Sequence, residues 1–337
     1  MKAAVWYGEN DIRVEEREKP SPEKGKVLIR VRAAGICGTD LMIYGGKFPR
    51  SRPPLVPGHE FVGEVVTKND IPSDLKTGDH VAVNPLISCG HCVACRMGFP
   101  HVCKKLRLIG VDVDGAFAEY VTASWEKVFR IPTSLSYEIA SLIEPTAVAV
   151  HVVARSALTV GDYVVVLGGG PIGLLIAMVA RIAGASRIFV TEVLHDRLKL
   201  GACLGFEAVD ASDGDVTARI LRKMGGRGAD IVFDAAGVPQ TSGIMVSLIR
   251  PRGRIVLVGL HKQQASVDLF NTSLKEAEIV GSRVYSQTDF EKAINLITSG
   301  RLVVDSLVTH RLSLDDVGDG LRLLAEGGEV VKVVLSP

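Results

Sequence analysis

Long blocks of like charge are missing from this sequence. Its 39 Lys and Arg stand against 38 Asp and Glu, leaving a formal net charge of +1. A chain so balanced offers no basic or acidic field for nucleic acid or an anionic membrane surface, and neither is expected as a partner. The opening residues, MKAAVWYG, lack the apolar core of a signal peptide and read as a first strand, so the cytoplasm is the default location. Internal repeats and low-complexity tracts are absent. Only Tyr163–Ala180 is long, apolar and uncharged, and Gly168-Gly169-Gly170-Pro171 splits it, which predicts a strand, a turn and a buried helix rather than a membrane span.

Cysteine is scarce, six in 337 residues, yet four of the six crowd into Cys89-x2-Cys92-x2-Cys95-x7-Cys103. Thiolates at that spacing can close a tetrahedral shell around one zinc with no open position, which describes a structural site. Clustering of this kind in a chain of this size reads as metal binding in a reducing compartment rather than as a disulfide framework. His91 lies inside the loop, but four thiolates already complete the shell.

The length allows about two domains, and the 47% apolar content can fill two cores. Residues 1–150 are β-rich, with short runs at 27–31, 61–66 and 80–83 separated by Pro, Gly and Asp turns. From there strand-like runs at 163–167, 187–191, 230–234 and 254–258 alternate with helical stretches near 171–183, 194–204, 215–224 and 239–249, a pattern that builds a doubly wound parallel sheet. A helix at 289–299, an amphipathic stretch at 314–325 and a last strand at 330–335 form a tail that can return to the first domain. The class is α/β, with a first domain of 1–150 completed by 285–337 and a second of 151–284.

Gly168-x-Gly170-x-x-Gly173 follows the strand at 163–167 and opens a helix, with Pro171 and Ile172 between the last two glycines. Glycines here permit a tight turn and close approach of a pyrophosphate, which the helix N-terminus attracts. Glu192 ends the next strand at the spacing of a ribose-binding carboxylate. It predicts NAD over NADP, although Arg197 could favour a 2′-phosphate or cover the adenine face. Val258-Gly259-Leu260, closing the 254–258 strand, is assigned to the same cofactor site.

A second donor set lies outside the cysteine loop. Cys37 and His59 suit zinc, and a carboxylate can complete three protein ligands around an open fourth position. The third ligand is either Glu60 or Glu144; Glu60 needs a particular backbone turn to reach an ion shared with its neighbour His59, whereas Glu144 comes from a distant segment. Asp40 is a candidate acceptor for the other ring nitrogen of His59. His151, seven residues after Glu144, can share its helix face. His80, His101, His195, His261 and His310 show no partnered spacing and read as surface or cap residues.

Taken together, Gly35-Ile-Cys-Gly-Thr-Asp40, Pro57-Gly-His-Glu60, Gly78-Asp79-His-Val81, the four-cysteine loop, Gly115-Ala-Phe-Ala-Glu-Tyr120, Glu144-Pro145 and Gly168-Gly-Gly-Pro-Ile-Gly173 resemble the zinc-dependent medium-chain dehydrogenase/reductase superfamily, in particular its sorbitol, butanediol and threonine dehydrogenase branch. The resemblance implies a GroES-like catalytic domain, a Rossmann domain, an active-site cleft between them and a homo-oligomer, dimer or tetramer. It implies a catalytic zinc on Cys37, His59 and a glutamate, matched by Glu144, with Glu60 matching a residue that binds the metal or exchanges with water. Thr39 matches the hydroxyl that passes the alcohol proton onward, and Tyr44 a substrate-pocket tyrosine. The implied activity is NAD-dependent oxidation of a secondary alcohol: a polyol, diol or sugar alcohol. Oxidation of a β-hydroxy amino acid such as threonine is the alternative, with Arg283 a candidate either for the substrate carboxylate or for a place flanking the cofactor; a non-catalytic redox sensor is the alternative of another class. One position departs from the pattern. Relatives commonly carry a proton-relay histidine five residues past the zinc cysteine, and here that residue is Met42.

Overall fold

Strand Lys26–Gly35 organises the first half of the molecule. Val27, Leu28, Ile29 and Val31 are all buried along it, as expected of a strand covered on both faces. A computed structural model describes residues 1–212 and 214–337. In it the chain forms two compact units, residues 1–144 with 286–337, and residues 145–285.

In the first unit, Lys26–Gly35 pairs antiparallel along one edge with Glu60–Asn69, which continues the sheet through His80–Val83 and Val128–Arg130. Its other edge is shared. The first half takes Tyr120–Ser124, and the end takes the C-terminal strand Lys332–Ser336 through Val334↔Gly35 and Leu335↔Ala34. The tail therefore does return, and brings Val308–Ser313 with it as a parallel neighbour. The core under these strands includes Val27, Ile29, Val31, Phe61, Val81, Phe117, Val333 and Leu335.

The second unit holds a parallel sheet. Among the described residues its strand order is 207–210, 187–192, 163–167, 229–234, 249–257, 278–281. Numbered along the chain, that is 3-2-1-4-5-6, the doubly wound order in which connections reverse beside the first strand. Val164 to Leu167 are fully buried, which explains their unbroken apolar run. The long apolar stretch is, as expected, this strand, a glycine turn and the helix Pro171–Ile182, whose residues Gly173–Ala180 are all buried.

Most predicted elements lie within two or three residues of their observed bounds. The larger departures are physical. Leu314–Asp316 is a tight turn before the helix Val317–Glu326, and the strand expected at 254 begins at Ile249 with a register shift around Pro251. The edge strands Glu207–Asp210 and Glu278–Gly281 were not anticipated, being four residues each and too short to show a period.

Candidate metal centres and dinucleotide site

Cys37 stands at the N-terminus of the helix Gly38–Tyr44, immediately after the central strand and Ile36. Its backbone N–H donates to Asp40 Oδ2 at 2.8 Å, which closes the first helical turn and fixes the Asp40 carboxylate. The other oxygen, Oδ1, faces His59 Nδ1 at 3.5 Å, and neither atom has a hydrogen-bond partner among the described residues. Both residues are buried. Burial would pull the His59 pKa down, but the Asp40 carboxylate and the Cys37 sulfur outweigh it and hold the imidazole well above its ordinary value.

Donor atoms of Cys37, His59 and Glu60 all lie within 4.8 Å of one another. The adjacent pair reaches one point because His59 precedes the strand that Glu60 begins, so pleat alternation does not send them to opposite faces. Gly35, paired with Glu60 across the ladder, leaves room for this placement: a Cβ there would press on the Glu60 carboxylate. Of the two glutamates that the sequence leaves open, Glu60 belongs to this donor set and Glu144 does not. Glu144 is buried in the first turn of the helix Ile143–Ser156. A half-buried sulfur with a buried imidazole and carboxylate, and an acceptor beside the second ring nitrogen, fit a zinc ion.

One member of the site was missed. Lys332 Nζ is buried, donates to the Ile36 carbonyl at 3.1 Å and forms an ion pair with Glu60 Oε2. Burial alone would lower its pKa, yet the charges of Glu60, Cys37 and Glu144 hold it above the usual lysine range. The only sequence signal was a lysine inside an otherwise apolar strand, Val330-Val-Lys-Val-Val-Leu335.

The four-cysteine loop closes on itself. Sγ separations are 3.5 Å for Cys92–Cys95, 3.5 Å for Cys89–Cys103 and 3.8 Å for Cys92–Cys103. Disulfides need about 2.05 Å, whereas the edge of a zinc–thiolate tetrahedron with ~2.3 Å bonds is about 3.8 Å. Backbone N–H groups of Cys95 and Lys104 pull Cys92 down to about 6, while desolvation and the neighbouring thiols push Cys95 up to about 12. A zinc ion bound among the four would favour their thiolate forms.

In the second unit the glycine turn follows strand Tyr163–Leu167. Gly168 adopts φ +103, and a Cβ on Gly173 would overlap the Gly168 carbonyl, so turn and helix approach as closely as a phosphate cradle demands. Gly170 and Pro171 begin the 12-residue helix, whose first N–H groups point out of the turn. Glu192 ends the neighbouring strand. Its Oε2 accepts from the Gly169 N–H at 3.1 Å, and Oε1 from Val193 and Leu194 at 2.7 and 3.1 Å. A carboxylate has about four acceptor positions, and three are filled by these donors among the described residues. Arg197 Nη1 lies 3.7 Å from where a Gly170 Cβ would stand, beside the turn.

Comparison with known proteins agrees with both halves. Residues 23–133 match the alcohol dehydrogenase GroES-like domain, and residues 171–299 the zinc-binding dehydrogenase domain. A 2-dehydro-3-deoxy-L-galactonate 5-dehydrogenase of Pseudoalteromonas atlantica is 37% identical, covering 94% of this chain and 93% of its own. The (R,R)-butanediol dehydrogenase of Bacillus subtilis is 35% identical over the full length of both. A solved zinc-binding dehydrogenase from Sinorhizobium meliloti 1021, bound to NADP, superposes with a TM-score of 0.94 at 34% identity, covering 100% of this chain and 99% of that one. The chain belongs to the zinc-dependent medium-chain dehydrogenase/reductase superfamily. It falls in the sorbitol and butanediol dehydrogenase-like branch, and is an enzyme acting on a secondary CH–OH group of a small molecule.

In this dehydrogenase the remaining expected residues occupy varied places. Thr39 is half-buried in the first turn of the Cys37 helix, and Met42 is half-buried one turn on. Tyr44 ends that helix and packs against the core of the first unit. Arg283 is exposed. Val258 and Gly259 donate their N–H groups to the Asp234 carbonyl at 3.0 and 2.8 Å, while Leu260 is exposed. His151 is buried. Among the histidines expected at the surface, His80 Nε2 meets the Tyr137 hydroxyl at 2.8 Å, and His261 Nε2 meets Asp234 at 2.9 Å. Sequence could not show either pairing, because the partners lie 57 and 27 residues away.

Proposed function

We propose that this dehydrogenase oxidises a secondary hydroxyl of a polyol, diol or sugar acid to the ketone, with NAD as acceptor and a zinc held by Cys37, His59 and a glutamate. A second zinc in the cysteine loop is structural. The observation that carries the reading is the convergence of half-buried Cys37 with buried His59 and Glu60 within 4.8 Å. When bound, the metal would supply Lewis acidity that lowers the pKa of a substrate hydroxyl, and the nicotinamide would supply a two-electron acceptor for the C–H bond.

The chain's own residues do the positioning. Asp40 Oδ1, 3.5 Å from His59 Nδ1, favours the tautomer with the proton on Nδ1, which leaves the Nε2 lone pair for the metal. Lys332 balances the Glu60 carboxylate, and Glu144 either completes the ligand set or adds negative charge beside it. Thr39 Oγ1 is the first acceptor for the proton leaving the substrate hydroxyl; methionine at position 42 cannot take it further. Gly168, Gly170 and Gly173, with the helix opened by Pro171 and Ile172, hold the pyrophosphate. Glu192 accepts from the adenosine ribose and repels a 2′-phosphate, which supports NAD, with Arg197 over the turn. Tyr44 and Arg283 are the candidate substrate contacts.

The names of the two relatives, a sugar-acid and a diol dehydrogenase, support the substrate class. Leu269, Phe270 and Leu274, each about 70% exposed on one short helix, support burial against another copy in a dimer or tetramer. The free thiols fit a reducing compartment such as the cytoplasm.

Zinc-replete protein should be screened for NADH and NADPH formation from sorbitol, 2,3-butanediol, an inositol, L-galactonate and L-threonine. The expected outcome is a polyol, diol or sugar-acid substrate with a larger kcat/KM for NAD. Turnover confined to L-threonine, or a preference for NADP, overturns the substrate or the cofactor assignment respectively. Cys37→Ser and Glu144→Ala should lose most turnover while NAD binding persists; an unchanged kcat in both removes the metal mechanism.

A further inference from the structure

Asp234 ends the strand Ala229–Asp234 and is completely buried. One oxygen accepts from the Gly237 N–H at 3.0 Å, and the other meets His261 Nε2 at 2.9 Å. No other charged side chain meets this carboxylate within ion-pair distance among the described residues. In the neutral ring the carboxylate therefore claims the Nε2 proton, and Nδ1 is left with a lone pair. That Nδ1 is itself buried and has no hydrogen-bond partner among the described residues. It is an acceptor with nothing to accept from.

Its place in the sheet suggests what the donor is. Asp234 pairs in register with Leu167, the residue just before Gly168. The N–H groups of Ala235 and Ala236 donate to the Leu167 carbonyl at 3.0 and 2.9 Å, so the turn after Asp234 lies against the phosphate turn. Glu192 closes the strand on the opposite side of Leu167, through Leu167↔Thr191. A dinucleotide crossing the carboxyl ends of a doubly wound sheet puts one nucleoside on each side of the switch point. With adenosine on the Glu192 side, the nicotinamide nucleoside falls on the side of Asp234, Val258 and His261.

We propose that His261, oriented by Asp234, binds the nicotinamide nucleoside: Nδ1 accepts a hydrogen bond from its ribose hydroxyl or carboxamide N–H. The assignment rests on the dinucleotide reading above and extends it to a residue whose spacing marked it as surface. Asp234 acts through the ring as a positioning residue.

The test is equilibrium binding without alcohol. NADH is titrated by its fluorescence, and ADP-ribose and 5′-AMP by calorimetry, against wild type and His261→Leu, His261→Asn and His261→Gln, with thermal unfolding of each variant as a control on folding. His261→Leu should raise the NADH Kd about tenfold, the scale of one lost hydrogen bond, and leave 5′-AMP unchanged. ADP-ribose weakened in parallel identifies a ribose hydroxyl as the donor; ADP-ribose unaffected identifies the carboxamide. Asparagine can place an oxygen near the position of Nδ1 and should restore affinity. Glutamine can place an N–H near Nε2, toward Asp234, and should not. The reverse pattern, rescue by glutamine alone, would mean that His261 only satisfies Asp234, and an unchanged NADH Kd in all three variants would equally overturn the proposal. If wild type binds none of the three ligands, the dinucleotide reading itself fails.

Discussion

Lys332 and Glu60 pair their charges where almost no water reaches, with side-chain exposures of 3% and 2%. The partners lie 272 residues apart, so the ion pair ties the C-terminal strand to the candidate metal centre. Removing one member of a buried pair strands the other charge in a poor dielectric, which costs more than the pair itself contributes.

Lys332→Met should therefore lower unfolding free energy by about 3–5 kcal/mol, and Lys332→Arg should retain most of it. Because the folded pKa of Lys332 is raised above 10.5, its contribution is complete below that pH and fades only as pH climbs through the folded value. Urea unfolding of wild type and Lys332→Met at neutral and at mildly alkaline pH should give the same difference. A gap that closes before pH 10.5 would contradict this account.

Asp230 plays a comparable part in the second unit. Its Oδ2 accepts from the Tyr163 N–H at 2.7 Å and from Arg227 at 2.6 Å, and Oδ1 meets Arg250. Burial would raise its pKa, but these donors win and depress it below 3.8. A depressed carboxylate contributes stability above its unfolded pKa and loses it as pH falls through the folded value. Asp230→Asn should cost about 1–3 kcal/mol at neutral pH. Its unfolding curve should approach that of wild type in acid below pH 3.8; curves that stay parallel would show that charge is not the cause.

Replacing Cys103 by serine opens the closed thiolate shell of the loop. Zinc per chain should drop by one on elemental analysis, and the unfolding transition should move down by several kcal/mol, because zinc binding of ~10–16 kcal/mol in small metal domains is folding energy. NADH binding should survive. Full metal content in Cys103→Ser would rule out the four-sulfur site.

Gly173→Ala drives a methyl group into the Gly168 carbonyl. Helix and turn must separate, which should cost about 1–3 kcal/mol as an overpacked contact, and the cradle opens. The NADH Kd should rise at least tenfold in a fluorescence titration. Unchanged affinity would show that close packing here does not serve the pyrophosphate.

Local spacing alone carried much of this protein. Strand–helix alternation, the glycine turn and its distance to Glu192, and the four cysteines are short-range patterns, and each reports a backbone geometry completed within a few turns of chain. Cys37, His59 and Glu60 were legible as donors for the same reason, since residue type and neighbours suffice to name them. Tertiary structure decided which glutamate has a carboxylate oxygen within 4.8 Å of the Cys37 and His59 donors, because that depends on where strand Glu60–Asn69 begins beside Gly35. It also decided that Lys332 faces Glu60 and that His261 faces Asp234. Those pairs arise from ladder register and from strands far apart in the chain, and a linear pattern contains no term for the distance between them.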